Sequence, residues 1–145
     1  MPGITVGIDG SAHSTRALEW AIKEAAVRHA PVTVLTVHLV PASGWTGNPI
    51  ILPQDTVDLQ EAERAAEEMT LKATSQLGTA QPSSVTVRAV SGFPAQELIE
   101  ASRTADLMVV GTRGAGGFAR LLMGSVSSQL VHHAHCPVVV VPSER

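Results

Sequence analysis

The chain alternates short runs of β-branched and apolar residues with longer stretches in which apolar residues recur at helical spacing. The apolar runs predict five strands, at 4–9, 32–40, 84–90, 107–110 and 138–141. Because these runs are almost continuously apolar, they are typical of strands that are buried on both faces. Strands alternating with helices predict an α/β fold, in which a mainly parallel sheet carries helices on both faces.

Four helices are predicted between these strands, at about 15–29, 56–77, from 94 onward, and 125–134. The first has an apolar stripe at helical spacing, formed by Ala17, Leu18, Ala21, Ile22 and Ala25. Ser14 and Asp55 are expected to cap the first two helices, Pro31 to end the first, and Gly78 to end the second. Residues 41–54 contain three prolines and two glycines without a period, which predicts a long loop that closes over a site or is disordered.

Length and composition limit the classes of protein that remain. With 145 residues, the chain fits one domain spanning 1–145. An apolar fraction of 44% and a charged fraction of 16% exclude a disordered chain, a collagen and a coiled coil. With two Phe, two Trp and no Tyr, the core must consist of aliphatic residues, and stacking platforms for single-stranded nucleic acid are hard to assemble.

Charge, cysteine content and the amino-terminal residues indicate a cytoplasmic protein. No window approaches the roughly 18 apolar residues of a membrane span, and no signal sequence is evident at the beginning. Cys136 is the only cysteine, so no internal disulfide forms. A net charge of -3 gives no general attraction to nucleic acid or to anionic lipid, so neither is expected as a partner.

The residues after the fourth strand carry the clearest functional pattern. Gly111 and Gly114 follow the strand, nine residues intervene, and Gly124 and Ser125 open a helix. Glycines let backbone N–H groups approach a phosphate closely, and a helix amino terminus offers unpaired donors. Taken singly, the glycines fit an ordinary turn and an ordinary helix cap. Together, beyond the carboxyl end of a parallel strand, they predict a polyphosphate cradle.

Other phosphate-binding patterns fit this segment less well. A Walker A loop needs a lysine, and Lys23 and Lys72, the only two lysines, lie within predicted helices. Residues 114–119 match G-x-G-x-x-A, but the dinucleotide pattern should follow the first strand and precede an acid by about 20 residues. Both conditions fail here.

Asp9 and a group of histidines with Cys136 have both functional and simpler structural interpretations. Asp9, at the end of the first strand, either caps a turn or contacts a ligand, and it is the only acid that the sequence places near these loops. His132, His133, His135 and Cys136 are residue types that bind zinc, but adjacent helical positions point about 100° apart. Histidines are common in the last turn of a helix because their positive form interacts favourably with the helix dipole there. No metal site is therefore predicted.

These residues resemble the universal stress proteins, in the branch that binds ATP through G-x2-G-x9-G-[S/T]. Residues 6–11 and 17–21 look like the opening strand and helix of that family, and residues 136–141 look like its closing strand. The resemblance implies an ATP site formed by Gly7, Asp9, Leu39, Gly111, Arg113, Gly114, Gly124, Ser125, Val126 and Ser127. In it, Asp9 approaches the ribose or the phosphates, Gly111 lies near the ribose, and the backbone at Leu39 meets the adenine. The remaining positions of the loop and helix contact the phosphates.

The resemblance also implies a three-layer, flavodoxin- or Rossmann-like sandwich with strand order 3-2-1-4-5, similar to the adenine nucleotide α-hydrolases. It implies a homodimer, formed through Val138, Val139, Val140 and Val141, because an exposed valine-rich edge needs to be paired or covered. Mg²⁺ would be held mainly by phosphate oxygens and water. The expected function is a nucleotide-dependent switch in stress response, with slow ATP hydrolysis at most and an unidentified protein partner. Two alternatives stay open: a nucleotidyl or phosphoryl transferase on the same scaffold, and a nucleotide-free protein-interaction module.

Overall fold

The computed structural model describes residues 3–10, 14–39, 53–112 and 125–142. Within these ranges strands and helices alternate as the sequence predicts. They are, in chain order, β1 (Ile4–Ile8), α1 (Thr15–Arg28), β2 (Pro31–Leu39), α2 (Pro53–Ser75), β3 (Ser84–Gly92), α3 (Pro94–Ala101), β4 (Leu107–Gly111), α4 (Ser125–His133) and β5 (Val138–Val141).

The five strands form one parallel sheet in the order β3-β2-β1-β4-β5, which confirms the predicted fold class. Parallel neighbours cannot be joined by a tight turn, so a helix connects each strand to the next. β1 begins the chain at the centre of the sheet, and the strand order reverses between β1 and β4. This reversal is the place where open α/β sheets form a crevice.

Helices cover both faces of the sheet and divide the core into two clusters. On one face, α1 and α2 pack on β1, β2 and β4 through residues such as Leu18, Ile22 and Ala66. On the other face, α3 and α4 pack on the same strands through Leu98 and Leu130. Full burial of a Leu or Ile side chain contributes roughly 1.5–3 kcal/mol, so these residues dominate the stability of the domain.

The predicted apolar stripe of α1 is confirmed, because all five of its residues are buried. The helix nevertheless ends at Arg28, before Pro31, which is the first residue of β2. Its last carbonyls are satisfied by His29, in a left-handed conformation with φ 52°, and by Ala30, whose N–H donates to Ala25 O at 2.9 Å. Ser14 occupies the N-cap position as predicted, but its backbone is already helical and its side chain forms no capping hydrogen bond.

The bounds of α2 also differ from the prediction. The helix begins at Pro53, so Asp55 lies inside it and is not its cap. Proline is favoured in the first helical turn because the N–H that it lacks would have no intrahelical partner there. At the other end the helix stops at Ser75, whose Oγ donates to Lys72 O at 2.7 Å, and Gly78 follows three residues later with φ +72°.

No helix in the described parts of the chain is long and apolar enough to cross a membrane.

Candidate functional site

The carboxyl edge of the sheet has a step. Ile8, the last residue of β1, pairs with Thr36, and β2 then continues for three residues to Leu39, which pairs with Gly92 of β3. Continuing the β1–β4 register places Ile8 level with Gly111, which pairs with Val141 at the end of β5. Three residues of strand span about 10 Å. The ends of β2 and β3 therefore extend about 10 Å beyond the ends of β1, β4 and β5, and they form a wall beside them.

The described residues of the predicted site lie along this edge. Asp9 follows β1, Leu39 ends β2, and Gly111 ends β4. The first turn of α4 comes to the same edge, because a helix that connects parallel strands runs antiparallel to them. Arg113, Gly114 and Gly124 lie outside the described residues.

The turn after β1 depends on a glycine that the sequence analysis did not single out. Gly10 has φ +80°, a left-handed conformation, and apart from its chain neighbours no atom of the described residues lies within 4 Å of the position that its Cβ would occupy. The backbone conformation, and not crowding, therefore favours glycine here. Asp9 and Gly10 are both exposed at the foot of the step. The polar residues from Asp9 to Ser14 predict a turn after the first strand, and the Asp-Gly pair is the sequence signal for the conformation of Gly10.

The first turn of α4 presents its three residues differently. Ser125 is exposed, Val126 packs partly into the cluster under α3 and α4, and Ser127 is only 2% exposed. The side chain of Val126 thus anchors the turn to the core. The first N–H groups of a helix have no intrahelical acceptor and carry partial positive charge, so this turn is suited to an anion.

Gly7, another predicted site residue, has a packing role. It lies within β1, and a Cβ atom at this position would lie 2.8 Å from Cδ2 and 3.0 Å from Cδ1 of Leu98. Glycine therefore allows α3 to approach the centre of the sheet closely. Contact between Gly7 and a nucleotide stays a prediction.

Gly7→Ala is expected to lower the free energy of unfolding by about 1–3 kcal/mol, because the added methyl overpacks the contact with Leu98. Leu98→Ala alone is expected to cost about 2–5 kcal/mol. Urea unfolding of both single mutants and the double mutant should show a coupling of at least about 1 kcal/mol, since truncating Leu98 makes room for the methyl. Leu130→Ala, at a buried leucine of the same cluster, is the matched control and should add to Gly7→Ala without coupling. If Gly7→Ala showed the same coupling energy with Leu130→Ala as with Leu98→Ala, the specific contact between Gly7 and Leu98 would be contradicted.

A second acid lies at the carboxyl edge, but at the end of β3 and not beside the loops that follow β1 and β4. α3 begins at Pro94, directly after β3, and its first turn contains Glu97. A Cβ atom on Gly92 would lie 2.7 Å from Oε1 of Glu97, so the carboxylate rests on the end of β3. Two strand spacings, about 10 Å, separate the end of β3 from that of β1. The two acids therefore stand at different parts of the edge.

The histidines and the cysteine near the end of the chain do not converge. His132 and His133 are exposed in the last turn of α4, with ring centroids 6.4 Å apart. Among the described residues, no group of three or more His, Cys, Asp or Glu side chains is arranged to hold a metal ion. Burial raises the pKa of Cys136, so its thiol is protonated at neutral pH and is a poor nucleophile.

The strand order and the step at the switch point place the chain among the Rossmann-like α/β proteins. A sequence model of the universal stress protein family matches residues 2–142, and the chain belongs to this family. The predicted family membership is thereby confirmed.

Relatives and solved structures agree with this assignment. The chain is 36% identical over 139 residues to a universal stress protein of Mycolicibacterium smegmatis, covering 96% of this chain and 47% of that protein. It is 38% identical over 144 residues to one of Mycobacterium tuberculosis, covering 98% of this chain and 48% of that protein. The chain thus spans about half the length of these curated relatives.

Two solved structures superpose along nearly the whole chain. The universal stress protein UspA from Lactobacillus plantarum has a TM-score of 0.79 at 23% identity, and the match covers 97% of each chain. A universal stress protein in complex with cAMP has a TM-score of 0.69 at 26% identity, covering 99% of this chain and 98% of that one.

Proposed function

We propose that this chain is a cytoplasmic stress-response protein that binds ATP at the stepped carboxyl edge and acts as a nucleotide-dependent switch. The observation that carries the proposal is the meeting of the ends of β1 and β4 with the first turn of α4 at the strand-order switch. The motif from Gly111 to Ser125 joins two of these elements. The related protein solved with cAMP supports an adenine nucleotide as the class of ligand.

Each part of the edge matches one part of ATP. The first turn of α4, residues 125–127, would donate backbone N–H and hydroxyl groups to the phosphates, with Gly124, Gly114 and Arg113 beside them. Asp9 and Gly111, at the ends of adjacent strands, would flank the ribose. The wall formed by the end of β2 would bring the backbone of Leu39 to the adenine edge.

The donor set at this edge also fits Mg²⁺ bound with the nucleotide. Mg²⁺ keeps several waters and takes one or two carboxylates together with substrate phosphates. Asp9 is exposed at the end of β1, where the resemblance implies the ribose or the phosphates, and would supply such a carboxylate. When bound, the ion would neutralise phosphate charge.

The same arrangement predicts slow hydrolysis. Fast phosphoryl transfer requires a group that positions the attacking water as well as groups that hold the metal. Glu97 rests on β3, three strand spacings or about 14 Å from the end of β4, where the phosphate-binding segment begins. It is thus too far away to assist Asp9 at the phosphates. The edge is suited to holding ATP more than to cleaving it.

Mass spectrometry of the natively purified chain tests the proposed function. We expect ATP or ADP to co-purify, and phosphate release with excess ATP and Mg²⁺ to require hours for one turnover. Turnover near the roughly 10 per second typical of enzymes would contradict the switch. Rapid transfer to a specific acceptor would instead indicate a transferase. A chain that carries no nucleotide and shows no calorimetric response to ATP would support the interaction-module alternative.

We further propose that the chain forms a homodimer through β5. β5 is an edge strand, and Met108 N–H and Thr112 N–H donate to Pro137 O and Val141 O at 2.9 and 3.1 Å. In a parallel ladder, alternate residues bond to the same neighbour, so the N–H groups of Val138 and Val140 face the outer side. Symmetric pairing of two copies of β5 would satisfy these groups.

Val140→Pro is expected to weaken the dimer by at least about fivefold, because two outward N–H donors are lost per symmetric pair at roughly 0.5–1.5 kcal/mol each. The bonds between β4 and β5 remain, since they do not use this N–H group. Sedimentation equilibrium measures the change, and Val140→Ala, which keeps the N–H, is the control. If Val140→Pro had the dimer dissociation constant of the wild type, the interface would not be formed by β5.

A further inference from the structure

A polar groove of about 160 Å³ opens at the amino edge of the sheet, opposite to the stepped edge. Its floor is formed by Thr5 of β1, Thr33 of β2 and Arg88 of β3, and the turn after α3 forms one wall. We refer to it as the amino-edge groove. A single water needs roughly 10–15 Å³, so the groove can hold a small molecule.

The groove exists because α3 is short. Its eight residues span about 12 Å, and its buried Leu98 packs near the carboxyl half of the sheet, where it contacts Gly7. Below Ala101 the chain turns away toward β4, so this face of the sheet is uncovered near the beginning of β1, β2 and β3.

The side chains on the floor converge on one space. Thr5 and Thr33 are direct neighbours in the parallel register, and Arg88 pairs with Leu35, two residues further along β2. Side chains alternate between the faces of a strand, so Thr5, Thr33 and Arg88 lie on the face that carries Gly7 and α3. Three adjacent strands thus contribute one polar side chain each.

Thr5 contributes the polar group that best supports ligand binding in the groove. Its side chain belongs to a residue that is only 8% exposed, and its hydroxyl makes no hydrogen bond to the described part of the chain. Fully buried side-chain nitrogen or oxygen atoms without a partner are absent from the described residues. The hydroxyl of Thr5 is therefore reached through the groove that it lines.

Arg88 is the charged side chain that lines the groove. Arg28 and Arg103 pair with Glu24 and Glu100, whereas Arg88 forms no ion pair within the described ranges. The carbonyls at the end of α3 do not oppose an anion strongly, because the N–H groups of residues 102–104 already donate to them. Asp106 follows the groove-lining Ala105 and forms no ion pair with Arg88.

We propose that the amino-edge groove binds a small phosphate-type oxyanion, with the Arg88 guanidinium paired to it and the hydroxyls of Thr5 and Thr33 donating to its oxygens. Arginine suits this role because its planar fork matches two oxygens of a phosphate. The ligand is inorganic phosphate or the phosphate group of a small monoester, which share this chemistry. β2 has nine residues, about 30 Å, so the groove is separate from the proposed ATP site.

Amide-resolved NMR titration of the full chain with inorganic phosphate tests the proposal. We expect saturable shifts at Thr5, Thr33 and Arg88, and Arg88→Gln should weaken binding by at least about tenfold. Thr33→Val, which keeps the shape and removes the hydroxyl, should weaken it several-fold. Arg103→Gln, at an exposed and already paired arginine nearby, is the matched control and should leave the affinity unchanged.

Glycerol phosphate in a parallel titration distinguishes the sources. Tighter binding than that of inorganic phosphate indicates a monoester as the ligand, and weaker binding indicates the free ion. If the Arg88 and Arg103 variants lost the same affinity for phosphate, the loss would reflect the net charge of the protein and not a contact in the groove. That result would overturn the proposal. Shifts confined to residues 9–10, 111–112 and 125–127 would also overturn it, since phosphate would then occupy the nucleotide site alone.

Discussion

Gly124→Val is expected to abolish measurable ATP binding while the chain stays folded. In the motif, Gly124 immediately precedes α4, where its N–H would approach a phosphate closely. A β-branched side chain at this position blocks the approach. Charge-assisted hydrogen bonds contribute roughly 1.5–3 kcal/mol each, so displacement from two donors weakens binding by at least about 100-fold.

Gln129→Val is the matched control, because it introduces the same side chain at an exposed position further along α4. Calorimetry should give the wild-type affinity for this variant, and circular dichroism should show both variants folded. Unchanged ATP affinity in folded Gly124→Val would show that the first turn of α4 does not hold the phosphates.

ATP is expected to bind at least about 100-fold more tightly than AMP. The donors at the start of α4 and in the preceding motif are directed at the polyphosphate, so removal of two phosphates removes several charge-assisted bonds. ADP should lie between the two. Competition titrations at one ionic strength measure the ratios, since screening weakens exposed charge pairs. Equal affinity for ATP and AMP would limit the site to nucleoside recognition.

The sequence predicts the elements well because their signals are local. Each strand is a continuous apolar run, and the stripe of α1 has a clear helical period, so Leu18 and Ile22 are buried as expected. The order of the strands is not a local property. It followed from the resemblance of the phosphate motif and of both ends of the chain to one family, which the family match confirms.

The features that sequence reasoning missed depend on how elements begin and pack. Asp55 has the chemistry of a cap, but Pro53 starts α2 earlier. Glu97 appears far from the motif along the chain, yet β3 ends just before α3 and brings it to the same edge. Thr5 lies in an apolar run and gives no functional signal in the sequence. Only the structure shows that the short α3 leaves its hydroxyl accessible from the groove.

Mapping of ATP by amide-resolved NMR on the wild-type chain tests the central claim most directly. Binding at the stepped edge predicts the largest shifts at Asp9 and Gly10, at Leu39, at Gly111 and Thr112, and in the first turn of α4. The amides around Thr5 and Thr33 at the opposite edge should shift far less. ATP that shifts none of the residues at the ends of β1 and β4 would contradict the proposed site.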